Sequence, residues 1–594
     1  MYSPQLRDVQ RARQNISSVV EHTPLTTNAA FSERLSANVM LKREDLQVVR
    51  SYKLRGAYNK ILSLTPAQRA KGVVCASAGN HAQGVAYSCN ALKINGTIFM
   101  PVTTPLQKKT QVQKFGNDKV TIVSVGDTFD AAYQEAIKYC KEHDSNFIHP
   151  FDDEKVIEGQ ATVGFDILDD ASVPIDYLFV PIGGGGLASG VGSVFKNMSP
   201  DTTNGYKQII NGYTGIVQNV KAHSCLPFNH FFVIKRMNKI LSLTPAQRAK
   251  GVVCASAGNH AQGVAYSCNA LKINGTIFMP VTTPLQKKTQ VQKFGNDKVT
   301  IVSVGDTFDA AYQEAIKYCK EHDSNFIHPF DDEKVIEGQA TVGFDILDDA
   351  SVPIDYLFVP IGGGGLASGV GSVFKNMSPD TKIIGVEPAG AASMKAAIDA
   401  KEIVTLPEID AFADGVAVGR AGELTYNICK NVLDDIVVVP EGKICTTILQ
   451  LYNESAIVVE PAGAISIAAL DFYKKQIKGK NVVCIVSGSN NDITRMEEIK
   501  ERSQLYEGLK HYFVVRFAQR AGALREFLEY VLGPNDDITY FEYKRKNFME
   551  KGPAIIGIEL KHAEDITSLL ERMNERGLAY EYLNTHQDLF QLLT

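Results

Sequence analysis

The chain has 594 residues, too many for one ordinary domain, and its 44% apolar and 21% charged residues are those of a globular protein able to bury a core. A net charge of −5 excludes the broad basic surface that nucleic acid or anionic lipid would need. Ten cysteines with no C-x-x-C pair, and no Cys/His cluster at ligand spacing, exclude a structural zinc site, so no metal is expected.

Met1-Tyr2-Ser3-Pro4-Gln5 leads into Arg7 and Asp8 with no apolar stretch, so no signal peptide is expected. No apolar run approaches the ~20 residues that span a bilayer. The expected location is the cytoplasm, with the thiols reduced.

In chain order, 54–62 predicts a helix. Lys71–Ala76, Thr97–Pro101 and Lys119–Val123 predict strands, and a helix follows through Phe129–Tyr133. Asp176–Pro181 predicts a strand running into glycines, and Lys382–Val386 and Asn481–Val486 two more. Strands alternating with helices predict an α/β fold with parallel sheets. From about 511 the pattern changes to strand, helix, two strands, helix, strand. That βαββαβ order predicts a separate ferredoxin-like α+β domain over 511–585.

Residues 59–202 recur without a change at 238–381, an offset of 179. Between them lies an unrelated insert, 203–237. A unit of 144 residues is too long for a solenoid, so the doubling is either a recent duplication or an artefact of sequence assembly. Removing one repeat unit leaves 415 residues. The expected organisation is a first catalytic part over 1–202 with a small domain at about 51–148, the insert, the duplicate, a second catalytic part over 382–504, and the terminal domain.

Four local features can carry chemistry. Lys53, in Ser51-Tyr52-Lys53-Leu54-Arg55-Gly56-Ala57, starts a helix; a lone lysine there is most often a solvated cation. Ser77-Ala78-Gly79-Asn80-His81 follows a strand and starts a helix, which turns backbone N–H groups toward a carboxylate or phosphate. Gly183, Gly184, Gly185 and Gly186, then Leu187, again join strand to helix, and their lack of side chains lets the backbone wrap an anion. This is neither a Walker A loop nor G-x-G-x-x-G with an acidic partner. Ser487-Gly488-Ser489-Asn490 after the strand at 481–486 is by itself a polar turn.

Taken together, in this order and after Leu41-Lys42-Arg43-Glu44-Asp45-Leu46-Gln47, the four motifs resemble the fold-type II pyridoxal-phosphate enzymes, and within them the threonine ammonia-lyase (threonine dehydratase) family. The terminal domain, with Gln519-Arg520-Ala521-Gly522-Ala523-Leu524, resembles the ACT-like regulatory domain of the biosynthetic form. Tyr52, Ser489 and Ala521 depart from the family's usual Phe, Gly and Pro without removing a catalytic group.

The resemblance implies a two-domain α/β catalytic unit with pyridoxal 5'-phosphate as cofactor. Lys53 would carry it as a Schiff base and move the α-proton. Asn80 would bond its 3-hydroxyl oxygen, Gly183–Leu187 would cradle its phosphate, and Ser487 would face its pyridine nitrogen. Ser77, Ala78, Gly79, Asn80 and His81 would hold the substrate carboxylate. The implied reaction turns L-threonine into 2-oxobutanoate and ammonia, with isoleucine, and valine as a second candidate, as effector and a homotetramer or other homo-oligomer as the assembly. The alternatives are a serine dehydratase or racemase on the same fold, or an inactive product of the doubling. Ala78 has no proton to give to the opposite face, which favours elimination over racemisation.

The doubling offers two cofactor sets: Asn80 with Gly183–Leu187, or Asn259 with Gly362, Gly363, Gly364, Gly365 and Leu366. The break after Thr202 falls in a turn and the break after Tyr58 inside a helix. Turns accept insertions better, so the first copy is expected to be completed by 382–504. A hybrid of Asn80 with Gly362–Leu366 stays open.

Overall fold

The computed structural model describes residues 4–200, 202–204, 237–256, 258–543 and 550–585. Most of the insert therefore lies outside the described residues. The chain divides into two compact units, Met1–Pro227 and Phe228–Thr594.

Each unit contains one copy of the repeat, and the copies build the same four-stranded parallel sheet. In the first unit its order is Val120–Ser124, Gly96–Met100, Val73–Ala76, Asn146–Phe147; in the second it is Val299–Ser303, Gly275–Met279, Val252–Ala255, Asn325–Phe326. Val73–Ala76 is buried at all four positions. This explains its unbroken apolar run, because helices cover both faces of a parallel sheet.

The first unit adds the N-terminal segment. Helix Leu6–Ile16 presents Val9 to Ala161, Phe165 and Val194, and this small cluster closes one side of helix Glu154–Asp170. Helix Lys53–Ser63 lies in the same unit, and Arg55 in its first turn is only 1% exposed. Its Nε and Nη2 donate to Glu44 at 2.8 Å each, its Nη1 to Thr162 Oγ1 at 3.0 Å, and Nη2 also meets Asp166 Oδ2 at 2.8 Å. Two carboxylates and a hydroxyl thus satisfy a guanidinium that could not otherwise be buried.

The second unit adds the C-terminal segments. Strand Tyr356–Pro360 of the second copy lies between Lys382–Pro388 and Val482–Cys484, with Asp435–Val439 beyond, all parallel. The equivalent stretch of the first copy keeps only Tyr177–Leu178 as strand, paired with Thr203–Asn204. One sequence thus forms five strand residues where both neighbours exist and two where they do not; sheet structure is fixed by pairing more than by local preference.

The expectation that 382–504 completes the first copy is corrected here, because Lys382–Pro388 pairs with the second copy. The physical reason is loop closure. The two copies offer identical faces, but only Ser378–Thr381 separate helix Gly365–Met377 from strand Lys382–Pro388, whereas return to the first copy would have to close across the whole repeat unit, and closure cost rises by ~0.6 kcal/mol per doubling of loop length. The break within the copied helix is also accommodated, since 237–242 is helical.

Residues 510–585 form the expected βαββαβ domain. Its antiparallel sheet has the order Asp537–Tyr543, Lys551–Glu559, Lys510–Ala518, Ala579–Tyr582. Helices Ala523–Tyr530 and Asp565–Glu575 bury Phe527, Leu569 and Met573 against Phe513, Val515 and Ile556. Among the described residues no helix is long and apolar enough to cross a membrane.

Candidate active site

In the first unit, Lys53 opens its helix with a half-buried side chain. Its Nζ donates to Pro150 O at 2.8 Å and lies 5.2 Å from the centre of the Tyr52 ring. Burial lowers the proton affinity of the amine below that of a free lysine. Helix Asn80–Leu92 packs closely on it: a Cβ at Gly84 would sit 3.2 Å from the Lys53 backbone. His81 is buried, with Nε2 at 2.9 Å from Ile148 O, and burial lowers its pKa to about 4, so the ring is neutral. His81, at the end of the Ser77–His81 turn, is close enough to Lys53 to feel its charge, and Gly79 N donates to Ser77 Oγ at 3.2 Å.

Gly183–Gly186 belong to the same unit and precede helix Gly186–Met198, but the cradle is open. Phe151 backs Gly184, whereas nothing lies within 4 Å of a Cβ built on Gly183 or Gly185, and Asn80 is exposed.

In the second unit the same loop is walled. A Cβ at Gly362 would come within 3.0 Å of Val416 Cα, one at Gly363 within 2.3 Å of the Phe330 ring, and one at Gly364 within 2.6 Å of Met394 Cε. Gly364 has φ +89°, which favours glycine. Gly363 O accepts a 2.7 Å hydrogen bond from Thr425 Oγ1, and Asp331 accepts from the N–H groups of Glu423, Leu424 and Thr425. Helix Gly365–Met377 then starts with Leu366 in its first turn.

Asn259 is held from both sides. Its Nδ2 donates to Glu460 at 2.9 and 3.2 Å, and its Oδ1 accepts from Asn490 Nδ2 at 3.1 Å. Burial raises the Glu460 pKa, and the Asn259 amide opposes that shift. Ser487 donates to Ala462 O at 3.0 Å, and Gly463 packs so tightly on the following turn that a Cβ there would meet Gly488 O at 2.2 Å.

Of the sequence-derived residues, the structure therefore groups Lys53, Ser77, Ala78, Gly79, Asn80, His81 and Gly183–Leu187 in one unit. It groups Asn259, Gly362–Leu366 and Ser487 in the other. The sequence reading missed Glu460, Thr425, Phe330 and Asp331. Glu460-Pro461-Ala462-Gly463, an acidic residue before a proline-started helix, was the only local signal for any of them.

The pattern of the pyridoxal-phosphate dependent enzyme family matches this chain over two stretches, 16–212 and 214–488. The chain belongs to that family. The C-terminal regulatory domain of threonine dehydratase matches 501–593. The biosynthetic L-threonine dehydratase of Halalkalibacterium halodurans is 57% identical over 356 residues, 60% of this chain and 86% of the relative. That of Bacillus subtilis is 58% identical over 356 residues, 60% of this chain and 84% of the relative. These matches place the chain in the threonine dehydratase branch, an ammonia-lyase branch. The solved structure of the processed form of threonine deaminase isoform 2 from Solanum lycopersicum covers 85% of this chain and 90% of its own, at 26% identity and a TM-score of 0.27.

The residues fit pyridoxal phosphate, but by parts. The second unit offers a side-chain-free cradle at a helix N-terminus for the phosphate, a fixed amide at Asn259 and a neutral hydroxyl at Ser487. The first unit offers the amine.

Proposed function

We propose that the chain deaminates L-threonine to 2-oxobutanoate and ammonia, as the first step of isoleucine biosynthesis in the cytoplasm. Isoleucine acts through the terminal domain, and the working form is a homotetramer or another homo-oligomer. The observation that best supports this reading is the half-buried Lys53 amine, whose proton affinity is lowered beside the Ser77–His81 turn.

Pyridoxal phosphate supplies an electron sink for the pair left behind when the α-proton departs. The chain's own groups do the rest. The backbone N–H groups of the Ser77–His81 turn bind the threonine carboxylate and fix which bond is presented. Lys53 Nζ, whose charged form burial disfavours, takes the α-proton. Neutral His81 adds no competing charge beside the carboxylate.

The test is direct assay of 2-oxobutanoate from L-threonine by the full-length chain, with and without isoleucine. Turnover that isoleucine suppresses and Lys53→Ala abolishes is expected. Turnover unchanged by Lys53→Ala would refute the role of the lysine. An isoleucine response that persists after truncation beyond about residue 505 would refute the role of the terminal domain.

A further inference from the structure

We infer that Gln160 is a positioning residue for Lys53, acting through the Pro150 carbonyl to which both side chains donate. The inference rests on the role proposed above for Lys53, and every residue in it lies within the first unit.

Pro150 O accepts from Lys53 Nζ at 2.8 Å and from Gln160 Nε2 at a longer 3.4 Å. Gln160 comes from helix Glu154–Asp170 and is fully buried. A flip of its amide would set Oε1 against the Pro150 carbonyl oxygen, which fixes the orientation. In that orientation Oε1 is buried with no hydrogen-bond partner among the described residues. It lies against the glycine loop: a Cβ at Gly186 would meet Gln160 Oε1 and Phe151 O at 2.8 Å each. The amide is thus wedged between the lysine's carbonyl and the start of helix Gly186–Met198. A buried acceptor left unpaired is costly, and an apolar side chain of similar length would avoid that cost. What the amide supplies instead is a second donor to Pro150 O.

That donor acts on Lys53 twice, in one direction. The positive end of the amide dipole, shared onto the same oxygen as the ammonium, disfavours the charged amine. When the amine leaves Pro150 O to react, Gln160 Nε2 keeps that carbonyl hydrogen-bonded. Both effects favour a neutral and mobile amine, the form that attacks a carbonyl or takes a proton.

The other groups near the amine are His81, His149 and Tyr52. The charge of Lys53 reaches both imidazoles, and burial lowers the proton affinity of each. His149, which also feels Asp152 and Asp153, accepts from Asp152 N at 2.7 Å through Nδ1, so that nitrogen carries no proton. Burial raises the Tyr52 pKa above its ordinary value. Between about pH 7 and 10 the amine is therefore the group that titrates here.

The experiment is trace acylation of the full-length chain with acetic anhydride across that range, after hydroxylamine has freed any lysine in Schiff-base linkage. The tryptic peptide 51–55 occurs once in the chain and reports Lys53 alone. In Gln160→Met the midpoint of the rate–pH curve should move up, and acylation at pH 7 should fall about three- to tenfold. In Gln160→Glu, where a carboxylate meets the ammonium, the midpoint should move further in the same direction. The acid limb of the pH profile for 2-oxobutanoate formation should follow. A midpoint unchanged or lowered in either variant would overturn the inference, and so would slower acylation at an unchanged midpoint, which reports lost packing alone. Failure of the functional reading would show separately, as absence of 2-oxobutanoate from the unsubstituted chain, with the acylation curves still deciding the role of Gln160.

Discussion

Phe179 and Phe358 occupy the same place in a sequence written twice, yet Phe179 is 79% exposed and Phe358 fully buried. The difference lies in what covers them. Phe358 pairs with Ile384 and Cys484 on either side and packs with Ile384, Val386 and Val437; among the described residues Phe179 has no such strand partners. The two copies are thus a built-in comparison of the same residues with and without their complement.

Alanine at Phe358 should therefore cost the second unit about 3–5 kcal/mol, the range for emptying a buried aromatic site. Alanine at Phe179 should change the stability of the first unit by no more than about 0.5 kcal/mol. Thermal unfolding of the two variants measures both; equal losses would contradict the assignment of cover to the second copy.

The N-terminal segment makes the converse comparison. Phe165 is 4% exposed beneath helix Leu6–Ile16, whereas its counterpart Phe344 is 46% exposed. Phe165→Ala should lower the melting temperature of the first unit by several degrees, and Phe344→Ala should leave that of the second nearly unchanged. Calorimetry that found the larger effect at Phe344 would count against this arrangement.

Arg55 is bound by Glu44, Asp166 and Thr162 in the first turn of the helix that bears Lys53. Removing one partner from a buried ion cluster leaves the others uncompensated, so Arg55→Met should destabilise the first unit by about 3–5 kcal/mol. The counterpart of Asp166 in the second unit, Asp345, is exposed, and Asp345→Asn should be near neutral. Urea unfolding of each variant distinguishes the two cases.

Glu387 gives a pH signature to the second unit. It is fully buried, and burial raises its pKa from 4.5 to about 7, although it accepts 2.8 Å bonds from the N–H groups of Met394 and Lys395. Between the unfolded and folded values the native state keeps a proton that the unfolded chain has lost. Stability is therefore present at low pH and declines as pH rises from about 4.5 toward 7, by roughly 3 kcal/mol in total. Glu387→Gln should flatten that slope. A melting temperature whose pH dependence is the same in the variant would rule out this carboxyl as the source.

Much of this was legible in the sequence. The terminal βαββαβ domain was readable because each element has its own period and its sheet is closed locally by Lys510–Ala518 and Lys551–Glu559. The glycine loop and the Asn80 turn were readable because strand–turn–helix junctions are local. The copy that 382–504 would join was not: two identical faces carry identical local signals, and closure entropy decided between them. Glu460 was missed because its partner Asn259 lies 201 residues away.

The most direct test of the account asks which copy the C-terminal segment covers. Phe179→Cys and Phe358→Cys, made singly in the full-length chain, place one thiol at the same point of each copy. Native-state maleimide labelling, located by peptide mass, should modify Cys at position 179 rapidly and leave position 358 protected until unfolding. Rapid labelling at 358 with protection at 179 would mean that 382–504 sits on the first copy, and would contradict the account.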